Sequence, residues 1–169
     1  MSIMKKMALS NAQVLNVVGW YNNDFKKNKK NEVLPLKLQL DLQRNIGSLI
    51  DAAQSYEKIC KQFVMNIQKE YSTDEKANKI KKIQKDENGK ESEIFEYVLK
   101  DEFKAEYNEK INDINEKIQE LGKEGEIYTL RVFDLDAFTD SLMEDTNLTV
   151  DDLYMLTFMD ENSEKIVEE

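Results

Sequence analysis

From Leu34 to Tyr71 apolar residues recur at alternating steps of four and three: Leu42, Ile46, Leu49, Ala53, Tyr56, Cys60, Phe63 and Ile67. Only a helix brings those positions to one side, and the repeat is that of a helix lying along a second helix. The chain's one proline, Pro35, stands in the first turn, where its missing N–H would be unpaired anyway. At 1.5 Å per residue such a helix is ~55 Å long, more than a small core requires. A partner stripe follows in Phe103, Tyr107, Ile111, Ile114, Ile118 and Leu121, with Gly122 placed as a C-cap. The pattern predicts a mainly α (α+β) fold: a long antiparallel helical hairpin with short flanking helices and a small β-sheet or hairpin.

The flanking segments carry local signals. Ile3, Met7 and Leu9 fall on one face of an extended segment, with Met4, Lys6 and Ala8 on the other, and read as a short strand. Ser10 with Gln13 forms a capping box for a helix whose stripe is Val14, Val17, Val18, Tyr21 and Phe25. The run NNDFKKNKKN then reads as a solvated connector. Leu34 is a poor cap, so packing must set the start of the long helix. Between the long helices, Ile80, Ile83, Ile94, Phe95, Tyr97 and Val98 flank a KDENGKES turn, and Asn88-Gly89 predicts a β-hairpin arm over 78–98. Extension of both long helices through this region is the rival reading. Ile127 to Phe133 reads as a second strand, able to pair with the first. Asp134 caps a short helix running through Leu142 and Met143. Thr149 with Asp152 caps a last one, with the stripe Leu153, Leu156 and Met159. One domain over residues 1–160 is expected, with 161–169 as a frayed acidic tail.

Composition narrows the chemistry. There is no histidine and one cysteine in 169 residues, which removes the commonest general base, most metal sites and any intramolecular disulfide. A reducing compartment, the cytoplasm, fits that usage. Lys5 and Lys6 precede a mildly apolar stretch, but Asn11, Gln13 and Asn16 interrupt any signal-peptide core. No apolar run is long enough to span a membrane. Residues 1–40 hold seven lysines against two acids, and residues 133–169 hold twelve acids against one lysine. Such asymmetry can mark partner surfaces. Only Arg44 and Arg131 among 24 basic residues are arginine, which disfavours direct reading of nucleic acid.

Each chemical candidate has a plainer alternative. Asp86, Asn88 and Gly89 suggest a calcium loop, but glycine follows the first acid by three positions where an EF-hand needs five, so a turn is expected. Asp134, Asp136, Asp140, Glu144, Asp145, Asp151 and Asp152 could hold magnesium or act as acid and base. Helix capping and a solvated face explain them as well. They could also form an acidic surface that mimics nucleic acid. Lys26, Lys27, Lys29 and Lys30, near Trp20 and Tyr21, could grip a phosphate backbone, or merely be solvated. Cys60 lies on the seam as a small hydrophobe without a histidine to activate it. No phosphate loop, serine elbow or metal-ligand spacing is present. No catalytic residue, cofactor or metal is expected. Asp134, Asp136, Asp140, Asp151 and Asp152, with Ile94, Phe95 and Tyr97, are the expected partner-binding residues.

The succession LPLKLQLDLQRNI, QKEYS, KDENGK, EIYTLRVFDLDAF and LTVDDLYML resembles a family of uncharacterised proteins from phages and prophages of low-G+C Gram-positive bacteria. The resemblance covers nearly the whole chain and implies no catalytic residues. It implies a protein of the host cell cytoplasm, or one associated with the virion, that acts by protein–protein interaction. The role is accessory or structural in virion or tail assembly. The alternative is a phage-encoded inhibitor of a host defence nuclease. The expected partner is a phage structural protein or a host defence protein, and the helical seams offer a route to self-association.

Overall fold

The computed structural model describes residues 2–168. In chain order it forms strand β1 (Ile3–Ser10), helix α1 (Asn11–Trp20), helix α2 (Leu36–Tyr71), strands β2 (Ala77–Lys85) and β3 (Glu91–Leu99), helix α3 (Lys104–Lys123), strand β4 (Gly125–Val132), and helices α4 (Leu135–Asp140) and α5 (Val150–Leu156). The expected α+β architecture is present, with α2 an uninterrupted helix of 36 residues. β1 pairs antiparallel with β4, and β2 pairs antiparallel with β3. The chain divides into two compact units, Met1–Glu57 with Glu120–Glu169, and Lys58–Gln119.

The first unit holds the core. Leu42 and Leu49 of α2, Phe25, Met7 of β1, Leu130 of β4, and Leu156 and Met159 are sealed from solvent. Each such side chain contributes roughly 1.5–3 kcal/mol through burial. Leu34 is buried ahead of α2, so packing does set that helix start. The capping box at Ser10 forms: its hydroxyl accepts from the Gln13 N–H at 3.2 Å, and the Gln13 side chain accepts from the Ser10 N–H at 2.9 Å. Asn45 of α2 closes the free edge of β4: its amide nitrogen donates to the Arg131 carbonyl at 2.7 Å, and its oxygen accepts from the Arg131 N–H at 2.9 Å. A buried backbone pair that no strand covers is satisfied in this way.

Four expectations are corrected in this unit. The run after α1 is not simply a solvated connector. The helix widens into a π-helical turn at Tyr21–Phe25, where the Lys26 N–H donates to the Tyr21 carbonyl, and Tyr21 and Phe25 are buried. Gly122 is not a C-cap. It lies inside the last turn of α3, where a Cβ would stand 2.8 Å from the Tyr56 hydroxyl, so glycine serves a close approach of helices. The helix from Asp134 stops at Asp140, short of Leu142 and Met143. The tail past Asp160 does not fray. The Ala8 N–H donates to the Lys165 carbonyl at 2.8 Å, and the Val167 N–H to the Lys6 carbonyl at 2.9 Å, so the tail covers the outer edge of β1. An uncovered strand edge carries unpaired amides, which explains why the polar tail settles there.

In the second unit the end of α2 lies against the start of α3. Tyr71 stacks edge-on to Tyr107 at 5.2 Å, its hydroxyl donates to Glu106 at 2.5 Å, and Lys110 pairs with Glu70 at 2.5 Å. Cys60, Phe63, Ile67, Ile111, Ile114 and Ile118 are only half-buried, because a two-helix seam is covered from one side. The β2–β3 hairpin turns through Glu87, Asn88 and Gly89, with Gly89 at φ +77°. Only the glycine takes the left-handed conformation, so the turn is a type I turn followed by a glycine bulge rather than a two-residue Asn-Gly turn.

Candidate functional site

The β2–β3 hairpin is the most exposed apolar element. Every residue from 78 to 98 is exposed on both faces of the ribbon. The register pairs Lys79 with Tyr97, Lys81 with Phe95, Ile83 with Glu93 and Lys85 with Glu91. Since side chains alternate across a strand, these eight share one face. The intervening positions, with Ile80, Ile94 and Val98, form the other. The expected contact residues therefore separate: Phe95 and Tyr97 lie together, and Ile94 lies on the opposite face. Phe95 is 57% exposed and Ile83 65%. The Lys79 ammonium sits 4.4 Å from the centre of the Phe95 ring. Lys81 pairs with Glu93 at 2.6 Å, Lys85 with Glu91 at 3.1 Å, and Lys82 with Glu96. What pattern reading missed is the segregation of charge: β2 carries four lysines and no acid, and β3 three glutamates and no base. The signal was present in KIKKIQK and ESEIFEY, but it acquires meaning only through the register.

The acidic end is less uniform than its sequence suggests. Asp134, Asp136, Asp140 and Asp151 are exposed. Asp134 accepts from the Ala137 N–H at 2.9 Å as an N-cap. Exposed Met143, Val150 and Tyr154 occur in the same stretch. Asp152 does not belong to this surface, which corrects its place among the partner-binding residues. It is 1% exposed. One of its oxygens accepts from the Trp20 indole N–H at 2.9 Å; the other accepts from the Thr149 N–H at 2.9 Å and pairs with Lys30 at 3.0 Å. Burial pushes its carboxyl up, but the hydrogen bonds from Thr149, Trp20 and Lys30 together hold it below the usual carboxylate range. Lys30 is raised in turn, chiefly by its hydrogen bond to Asp152, against burial and with help from Asp24 at 3.0 Å.

That network also disposes of one phosphate-gripping candidate. Lys26, Lys27 and Lys29 are exposed, whereas Lys30 is committed to Asp24 and Asp152. Asp86 acts in the turn: its carboxylate accepts from the Asn88 N–H at 2.9 Å and the Lys90 N–H at 2.8 Å. Among the described residues, no three cysteine, aspartate or glutamate side chains converge so as to hold a metal ion. Cys60 is half-buried on the α2 seam. Among the described residues, no helix is long and apolar enough to cross a membrane. No protein-family model, curated protein or solved structure matches the chain.

Proposed function

We propose that this chain is a non-enzymatic protein that acts through protein–protein contact, with the β2–β3 arm as its contact element. One observation carries the reading: a ribbon of two nine-residue strands, bearing Ile83, Phe95 and Tyr97 on one face and Ile80, Ile94 and Val98 on the other, is bare on both sides. Clustered exposed aromatic and β-branched side chains are what an interface uses as anchors. The sequence resemblance supports a phage or prophage source, a place in the host cytoplasm or on the virion, and an accessory or structural role in virion or tail assembly. The test is affinity capture during phage infection, comparing the parent with Phe95→Asp and Tyr97→Ser in the arm. Retention of phage structural proteins by the parent, and their loss with the arm variants, is the expected result. Equal capture by both would remove the arm from the contact.

A second reading rests on the four exposed carboxylates Asp134, Asp136, Asp140 and Asp151. In it the acidic end occupies a basic groove of a host defence nuclease. Contacts between exposed charges weaken steeply with salt, over a Debye length of ~8 Å at physiological strength. Changing those four residues to amides leaves the fold intact, since asparagine caps a helix about as well as aspartate. Inhibition should then fall by orders of magnitude, mainly through a slower on-rate. A folded four-amide variant that inhibits fully would eliminate this reading.

A further inference from the structure

Among the described residues of the second unit, Tyr71 and Ala77 alone are fully buried, so the arm has no core of its own. Each strand is nine residues long, ~30 Å at the rise of an antiparallel strand. A lone two-stranded ribbon is marginal in water, and this one also exposes large apolar side chains. Something should cover it. The distribution of charge on the face bearing Phe95 says what.

On that face β2 presents Lys79, Lys81, Ile83 and Lys85, and β3 presents Tyr97, Phe95, Glu93 and Glu91. One strand is a cationic stripe, and the other is aromatic and anionic. A second copy of the same face is therefore its complement, provided that β2 of each copy lies over β3 of the other. A two-fold axis running along the strands does this, because it exchanges left and right while keeping each row at its own height. Lys85 then faces Glu91 of the second copy, Lys81 faces Phe95, Lys79 faces Tyr97, and Ile83 faces Glu93, the one row in which the match is not favourable. Ile83 and Phe95 of both copies flank the axis. Lysine over an aromatic ring is a favourable contact, and the arm already makes one internally between Lys79 and Phe95. A two-fold axis across the strands instead sets β2 on β2, lysine against lysine. Two-fold pairing through a strand edge joins a strand to its own copy, again like charge on like. Pairing the β3 edge of one copy with the β2 edge of the next does not close and builds an open polymer.

We propose that two copies of this chain associate through their β2–β3 arms, face to face, with the lysine strand of each on the glutamate and aromatic strand of the other. This rests on the arm being a protein-contact element. The test is sedimentation of the full chain over a concentration series, with two charge-reversal variants: Lys81→Glu with Lys85→Glu, and Glu91→Lys with Glu93→Lys. All four side chains are exposed, but each reversal also turns the internal pairs Lys81–Glu93 and Lys85–Glu91 into like charges. Circular dichroism melts therefore record any weakening of the arm, and the equimolar mixture, in which those internal repulsions persist, separates a lost interface from a weakened arm. The parent should sediment as a dimer. Each variant alone should self-associate at least about a hundredfold more weakly, since like charges opposed across an interface cost several kcal/mol. An equimolar mixture of the two variants should recover the dimer, as an acidic face meets a basic one. A monomeric parent, an open-ended polymer, or a dimer indifferent to both reversals would overturn the proposal. A monomeric parent whose arm variants still lose a phage partner would overturn self-pairing alone and leave the contact reading standing.

Discussion

Replacing Asp152 with asparagine should destabilise the protein by about 3 kcal/mol, although the substitution keeps the shape of the side chain. Both carboxylate oxygens are committed, to the Trp20 indole, the Thr149 N–H and the Lys30 ammonium. An amide offers one oxygen and, on its other side, two N–H groups facing donors. At least one buried donor loses its acceptor, which costs roughly 1–3 kcal/mol. Lys30 also loses the negative charge beside it. Its stranding is incomplete, because Asp24 stays at 3.0 Å, so the full ~3–5 kcal/mol of an orphaned buried ion is not reached. At roughly 2–4 °C per kcal/mol for a chain of this size, the melting temperature should fall by about 6–12 °C. Thermal melts followed by circular dichroism, with a double-mutant cycle against Lys30→Met, measure both the loss and the coupling. The pH dependence has a definite sign. Asp152 is depressed in the folded state, so its contribution is present above its unfolded pKa of about 3.9 and is lost as pH falls through the folded value. Lys30 is raised, so its contribution is present below about 10.4 and is lost as pH rises through its folded value. The gap between parent and variant should be flat through neutrality and close below pH ~4. A variant that melts with the parent at pH 7 would refute the reasoning.

Gly125→Ala should cost about 2 kcal/mol or more, because the added Cβ would stand 2.2 Å from the Leu9 carbonyl oxygen, where β4 meets β1 and only backbone could give way; a parent-like urea midpoint would count against that packing. Leu49→Asp should unfold the first unit, since it buries an unpaired charge at a sealed position. Ile114→Asp, at a half-buried position, should lower stability without abolishing the fold; equal effects by melting would contradict the difference in burial. A hydrolase and nuclease screen with magnesium and manganese supplied should find no turnover, and turnover that disappears with Asp134→Ala or Asp136→Ala would place chemistry at the acidic end.

Local features were legible because their causes are local. The boxes at Ser10–Gln13 and Thr149–Asp152 need four residues each, and both form as the spacing requires. The seam of α2 was legible because burial follows helical periodicity, and Leu42, Ile46, Leu49 and Ala53 are all inside. Gly122 shows where local reading stops. Glycine after an apolar stripe is the signature of a C-cap, but the same residue also serves close approach, and Tyr56, far away in sequence, decides between them.

Asp152 shows the same limit in chemistry. Its position three residues after Thr149 explains its backbone contact, and that sufficient local reason conceals its second role. The partner Trp20 is 132 residues away, and Lys30 comes from a run of lysines that reads as solvated. Nothing in the neighbourhood of either residue says that one lysine of four and one acid of seven are withdrawn from solvent. The consequence reaches the function. A cluster of carboxylates counted along the chain overstates the surface charge offered to a partner, and a charge-removal experiment that includes Asp152 would confuse loss of folding with loss of binding. Removing only Asp134, Asp136, Asp140 and Asp151 separates the two, because these four side chains face solvent and none anchors the buried network.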